Sequence, residues 1–252
     1  MKSLALFLAA LVGGALNAVA GGGSFIALPA LLFAGVSPVA ANATNTFALW
    51  PATLSSVIAY RREVAATRSW LGALGTASLA GGLLGGLLLV RTSDAGFVRL
   101  LPWLMLLAAL TFTFGDSLSR RLARNRSPHM ARAATIPFWL VGLQLAVAIY
   151  GGYFGGGMGI MTLAMLSISG MTNIHEMNGL KTALAAAING VSLAAFALDG
   201  LVAWGPGVLM AVGGVFGGYW GAAIARRIDG FWVRLFVTVV AWGMTSYFFL
   251  KD

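Results

Sequence analysis

Apolar runs separated by short polar or glycine-rich breaks set the pattern of this chain. They fall at residues 4–20, 25–34, 38–60, 70–90, 97–114, 136–150, 158–169, 173–198, 202–225 and 231–250. A helix rises about 1.5 Å per residue, so crossing a hydrocarbon layer about 30 Å thick takes roughly 20 residues. Most of the runs reach or approach that length. The runs 25–34 and 158–169 do not, and each follows a longer run across a cluster of glycines. Each long–short pair therefore reads as a helix interrupted inside the membrane, either folded back as a re-entrant hairpin or crossing once as a broken helix.

Composition sharpens this into a class. Hydrophobic residues make up 59% of the 252 positions and charged residues 9%, where a soluble domain carries about 25% charged. So few charges cannot cover a soluble surface. A soluble enzyme, a nucleic-acid-binding domain and a disordered chain are excluded, which leaves an all-α integral membrane protein in contact with the lipid bilayer. The net charge of +9 points to topology and gives no reason to expect a nucleic-acid partner, because the bases sit in clusters between apolar runs and basic loops stay cytoplasmic. With no cysteine and two histidines, His129 and His175, no disulfide, metal site or cofactor is expected. The start, Met1-Lys2-Ser3 and an apolar run ending Asn17-Ala18-Val19-Ala20, has the form of a signal peptide. An equivalent segment recurs mid-chain, however, and this favours a retained helix.

That recurrence is part of an internal repeat. Gly21-Gly22-Gly23-Ser24, a short apolar stretch and Gly35-Val36-Ser37-Pro38 are matched by Gly155-Gly156-Gly157-Met158, a short apolar stretch and Gly170-Met171-Thr172-Asn173. Further on, Gly81-Gly82 and Gly85-Gly86 echo Gly213-Gly214 and Gly217-Gly218 at nearly the same offset. The expected organisation is a first transmembrane repeat at 1–115, a basic cytoplasmic linker at 116–135 and a second repeat at 136–252. Each repeat is a re-entrant, broken-helix hairpin plus three transmembrane helices. If the two repeats are inverted, Arg61, Arg62, Arg68, the linker arginines, Arg226, Arg227 and Arg234 share the cytoplasmic side. Lys2, Arg91, Arg99 and Lys251 then fall outside. A parallel arrangement distributes the bases of the second half less well, so the positive-inside rule favours inversion with both termini periplasmic. Inverted repeats with interrupted helices are a transporter signature.

Candidate chemistry is sparse. Backbone freed at Gly21, Gly22, Gly23 and at Gly155, Gly156, Gly157 must be buried in protein or face water. Amides at a helix start suit an anion, and Ser24 stands beside the first break. The bands Gly81, Gly82, Gly85, Gly86 and Gly213, Gly214, Gly217, Gly218 read instead as close helix packing. Polar runs follow each break: Asn42, Thr44, Asn45 and Thr46, and later His175, Glu176, Asn178, Lys181 and Thr182. Such runs inside an apolar segment are costly unless they line a cavity. Lys181 is the base well inside a segment, positioned either to contact an anionic substrate or to snorkel to the interface. His175 and Glu176 are the titratable candidates for carrying a coupling proton, or simply wet interfacial groups. Asn17, Gln144 and Asn189 serve helix–helix hydrogen bonding or substrate equally well. Trp70, Trp103, Trp139, Trp204 and Trp232 read as interfacial anchors. No nucleophile–base pair, phosphate loop or metalloprotease motif occurs, so an enzyme is not expected.

Gly21 to Pro29, Ala41 to Thr46 and Tyr60-Arg61-Arg62 resemble the first half of the TauE/SafE sulfite-exporter family of permeases. Gly151 to Ile160, Asn173 to Lys181 and Asn189-Gly190 resemble its second half. The resemblance covers nearly the whole chain. It implies a secondary transporter of the inner membrane that moves a small sulfur-containing anion, such as sulfite or sulfoacetate, with proton coupling and homo-oligomerisation open. Where the family often carries a lysine after the first Thr-Asn pair, this chain has Thr46, which leaves Lys181 as the lone buried base. The expected substrate-binding set is Gly21, Gly22, Gly23, Ser24, Asn42, Thr44, Asn45, Gly155, Gly156, Gly157, Asn178, Lys181 and Thr182. The alternative is a non-transporting assembly or chaperone subunit, which the lack of a long soluble loop disfavours.

Overall fold

The structure, a computed structural model, describes residues 2–19, 21–124, 136–225 and 230–251. Every regular element among them is an α-helix. In order these are α1 (Lys2–Val19), α2 (Ser24–Phe33), α3 (Pro38–Ala59), α4 (Arg61–Ala66), α5 (Arg68–Val90), α6 (Asp94–Arg124), α7 (Phe138–Tyr153), α8 (Met158–Ile168), α9 (Ile174–Leu198), α10 (Trp204–Ala225) and α11 (Gly230–Lys251). Three stretches among the described residues, Arg68–Val90, Asp94–Gly115 and Ile174–Leu198, are long and apolar enough to cross a membrane. Helix α6 continues through Arg124, well into the segment expected to be linker. Arg126, His129, Arg132, Arg226 and Arg227 lie outside the described residues.

Both broken pairs fold back on themselves. In the first, Gly13 faces Gly23 and Ala27, and Gly23 faces Asn17, so α2 returns antiparallel to α1. The start of α1 stays beside the end of α2, where Lys2 Nζ donates to the Ala34 carbonyl at 3.4 Å. In the second, Gly151 and Val147 meet Met158, while Leu140 packs with Met165 and Leu166. Helix α8 therefore returns along α7.

The long helices pack across the two halves. Helix α1 lies along α10, with Gly213 against Phe7 and Gly217 against Leu11, and α10 also packs on α3 through Gly207 against Phe47 and Gly218 against Ala52. These three run in one direction. Helix α5 lies along α7, with Gly81 against Leu145 and Gly85 against Ile149 and Tyr153. It also lies along α9, with Gly82 against Ile188 and Gly86 against Ser192. These three run in the opposite direction, because the start of α9 (Gly179) meets Glu63 just past the end of α3, and Trp50 of α3 donates from Nε1 to the Ala186 carbonyl at 3.1 Å. Between apolar helices in lipid no hydrophobic force acts, so close approach of small residues supplies the packing energy. The glycine bands supply it here.

Helices α6 and α11 close the outside as an antiparallel pair, with Trp103 against Phe249 and Trp242 Nε1 donating to Thr113 Oγ1 at 3.0 Å. The molecule thus has two ends. One holds the start of α1, the end of α11, and the junction where the Val39 amide donates to Asp94 Oδ1 at 2.9 Å. The other holds α4 and the starts of α7 and α9. Helix α4 has no counterpart among the described residues of the second half.

One tryptophan departs from its expected role. Trp103, Trp139 and Trp204 are exposed, as anchors require, but Trp70 is buried in a cluster with Leu74, Leu140 and Leu180. It sits one turn into α5, where α7 and α9 already cover that face. The side chain of Trp232 lies outside the described part.

Candidate functional site

The two hairpin tips converge on one cavity of about 50 Å³. Gly21 and Ser24 of the first break and Gly155, Met158 and Gly159 of the second line it, together with faces of α3 and α9. From α3 come Asn45, Thr46, Leu49, Thr53 and Ser56; from α9 come Lys181, Thr182, Ala185 and Asn189; α1 adds Asn17. The spacing along α3 and α9 is that of one helical face, which brings small polar side chains into a single stripe on each helix.

Both breaks use the freedom of glycine where it is needed. Gly21 and Gly155 have φ of 81° and 82°, in the left-handed region that a side chain disfavours. Beyond the second turn, the amides of Gly156, Gly157 and Gly159 have no hydrogen-bond acceptor among the described residues. Each break also brings together the end of one helix and the start of another, so positive and negative partial charges sit side by side.

Lys181 is 7% exposed and has neither an ion-pair nor a hydrogen-bond partner among the described residues. Its stem runs past Gly159, where an added Cβ would lie 3.5 Å from Cδ. On the α3 wall of the cavity, Asn45 Nδ2 donates to Ser24 Oγ at 3.0 Å, which leaves Asn45 Oδ1 buried without a donor. Asn189 is also free of partners among the described residues. Asn17 Nδ2 donates to Thr53 Oγ1 at 3.5 Å. The hydroxyls of Thr46, Thr53 and Thr182 donate back to carbonyls of their own helices at 2.9–3.1 Å. Turning one toward a ligand sacrifices a bond worth about 1 kcal/mol net.

Of the residues expected to bind substrate, the structure brings Gly21, Ser24, Asn45, Gly155, Lys181 and Thr182 together. The others lie off the cavity with other partners. Gly22 packs on Val237 and Phe112, Gly23 on Gly13, Gly156 on the Phe154 ring and Gly157 on Ala108. Asn42 Nδ2 donates to the Tyr153 carbonyl at 2.8 Å and so satisfies the end of α7. Thr44 Oγ1 accepts from the Ala203 amide at 2.9 Å, before the start of α10. Asn178 is half-buried, and its carbonyl accepts from Thr182. His175 and Glu176 stand at the start of α9, where Asn173 Oδ1 caps both amides and Asn173 Nδ2 donates to Glu176 Oε1 at 2.9 Å. This is a reciprocal N-cap, away from the cavity.

Asn17, Thr46, Leu49, Thr53, Ser56, Met158, Gly159, Ala185 and Asn189 complete the lining. The signal for several was present in the sequence: Asn45, Leu49, Thr53 and Ser56 recur at helical spacing, as do Lys181, Ala185 and Asn189.

Apolar helices and two broken hairpins define a polytopic membrane protein with an internal polar cavity where the hairpin tips meet. The TauE/SafE sulfite-exporter family matches residues 6–248, and the chain belongs to this family of membrane transporters. Among its relatives is a probable membrane transporter protein of Haemophilus influenzae, 29% identical over 96% of this chain and 92% of its own length. The probable membrane transporter protein YfcA of Escherichia coli K12 is 29% identical over 96% of this chain and 87% of its own. The probable membrane transporter protein ORF9 of a Sinorhizobium species is 27% identical over 87% of this chain and 82% of its own. No solved structure gives a significant match.

Proposed function

We propose that the chain is a secondary transporter of the inner membrane that moves a small, sulfur-containing anion by alternating access. The observation that carries this reading is the cavity at the two hairpin tips, with unpaired Lys181 on its wall. A buried cation without a protein partner is costly unless something anionic completes it. The membership of the TauE/SafE family and the names of the relatives support transport, and the family description supports sulfite or a related sulfur anion.

The two halves are inverted repeats in this reading. Support comes from the opposed directions of α1 and α7, of α3 and α9, and of α5 and α10, which are the matching elements. The start of α1 and the end of α11 share one end, and Arg61, Arg62 and Arg68 stand at the other, which supports periplasmic termini and a cytoplasmic linker. The cavity extends from the tips along α3 to Ser56, toward the arginine-bearing end, so it corresponds to an inward-facing state. Toward the opposite end lie the Asn45–Ser24 and Asn42–Tyr153 bonds, an arrangement that suits a closed outer side in this reading. Proton coupling through His175 or Glu176 gains no support from their position at the capped start of α9.

Counterflow in proteoliposomes loaded with sulfite, sulfoacetate or a small carboxylate tests the reading. Accelerated uptake of labelled sulfite or sulfoacetate, absent from protein-free vesicles, is the expected result. Exchange of none of the three overturns it.

A further inference from the structure

We propose that the cavity selects a singly charged anion and discriminates against dianions of the same size; this rests on the reading of the cavity as an anion site. Among the described residues, Lys181 is the one ionisable side chain on the lining. No carboxylate among the described residues pairs with it, and the nearby Glu63, which Gly179 meets on the far side of α9, is not on the cavity wall. The remaining polar lining is amide and hydroxyl, neutral throughout.

The helix breaks do not supply a second positive charge. Each presents the start of α2 or α8 beside the end of α1 or α7, and opposite terminal partial charges offset each other within a turn. One anionic charge therefore leaves the occupied cavity neutral. A second would stay buried without a counter-charge, which is the costly case for an ion removed from water. The neutral groups can serve either arrangement of ligand donors and acceptors. The Ser24 hydroxyl donates as well as accepts, so the Asn45 amide can present its nitrogen or its oxygen to the ligand.

Size points the same way. At 10–15 Å³ per water-sized group, a cavity of about 50 Å³ admits about four such groups. That suits a pyramidal or tetrahedral oxyanion such as hydrogensulfite and, of the two sulfur anions named above, disfavours sulfoacetate, whose carbon chain bears a second acid.

Dimethyl sulfone, methanesulfonate and sulfate form a charge series at nearly constant shape: tetrahedral sulfur, five heavy atoms, and charges of zero, minus one and minus two. Binding of each to the detergent-purified full chain is measured by calorimetry and thermal shift at constant ionic strength. Methanesulfonate is expected to bind about tenfold or more tightly than either neighbour. Lys181→Met is expected to erase its advantage over dimethyl sulfone; should that variant not fold, the series on the unsubstituted protein decides alone. Sulfate binding as tightly as methanesulfonate, or more so, overturns the single-charge inference and leaves the anion site standing. If neither anion binds better than dimethyl sulfone, the inference and the anion site both fall.

Discussion

At the scale of the residue, the proposed anion site rests on one side chain more than any other. Lys181→Ala should lower substrate affinity by about 10- to 100-fold, the equivalent of a charge-assisted contact worth roughly 1.5–3 kcal/mol. Lys181→Arg should retain most of the affinity, because the charge remains and Gly159 leaves room beside the stem. Radioligand binding at matched expression measures both, and an alanine variant of unchanged affinity would remove Lys181 from the site. The sequence made this residue legible because a base inside an apolar run has few structural excuses. It also made Ser24, Asn45 and Thr182 legible, through the breaks and the polar runs after them. It also singled out Asn42 and Thr44, whose side chains lie off the cavity and serve a helix end and a neighbouring backbone amide. Polarity in an apolar run announces that a group needs a partner, but the identity of that partner depends on which helix lies opposite. Asn17 and Asn189 show the same limit in reverse. Their position on apolar helices was visible, and only the packing of α1 and α9 around the tips shows that they face the cavity.

At the scale of the element, the helix boundaries were largely written in the hydrophobic runs, because lipid demands uninterrupted backbone pairing and punishes polar breaks. Helix α4 was not, since Arg61–Ala66 is short and charged and gains its place by packing on the start of α9. The reading of the glycine bands as packing surfaces has a direct test. A methyl group on Gly85 would overlap the carbonyl oxygen of Ile149, and one on Gly217 that of Leu11. Gly85→Ala and Gly217→Ala should each destabilise the protein by about 1–3 kcal/mol, the usual cost of overpacking. Gly72 and Gly75 lie on the same α5 helix with open space around them. Alanine there should leave stability unchanged or raise it by up to about 1 kcal/mol through helix propensity. Thermal unfolding in detergent of the four variants distinguishes the bands from glycines that merely tolerate lipid; a uniform response would remove the distinction.

At the scale of the whole molecule, opposed helix directions and the segregation of bases predict one topology. A reporter fused after Asp252 should be active only in the periplasm, and one placed among residues 125–135 only in the cytoplasm. Cytoplasmic activity of the C-terminal fusion would reverse the assignment. The cross-packing of the halves makes a further prediction. Residues 1–124 and 125–252, expressed as separate chains, should each be unstable alone and regain protease resistance together, because α1 finds its main support on α10 and α5 on α7. That arrangement also imposes a schedule on synthesis. Ribosomes add about 5–20 residues per second, so roughly 10–40 s separate the emergence of α1 from that of α10. Throughout that interval the face of α1 that receives the glycine band of α10 waits in the membrane without its partner. A newborn first half is therefore a natural substrate for chaperone or protease surveillance, and translation that stalls before α10 should leave a fragment marked for degradation.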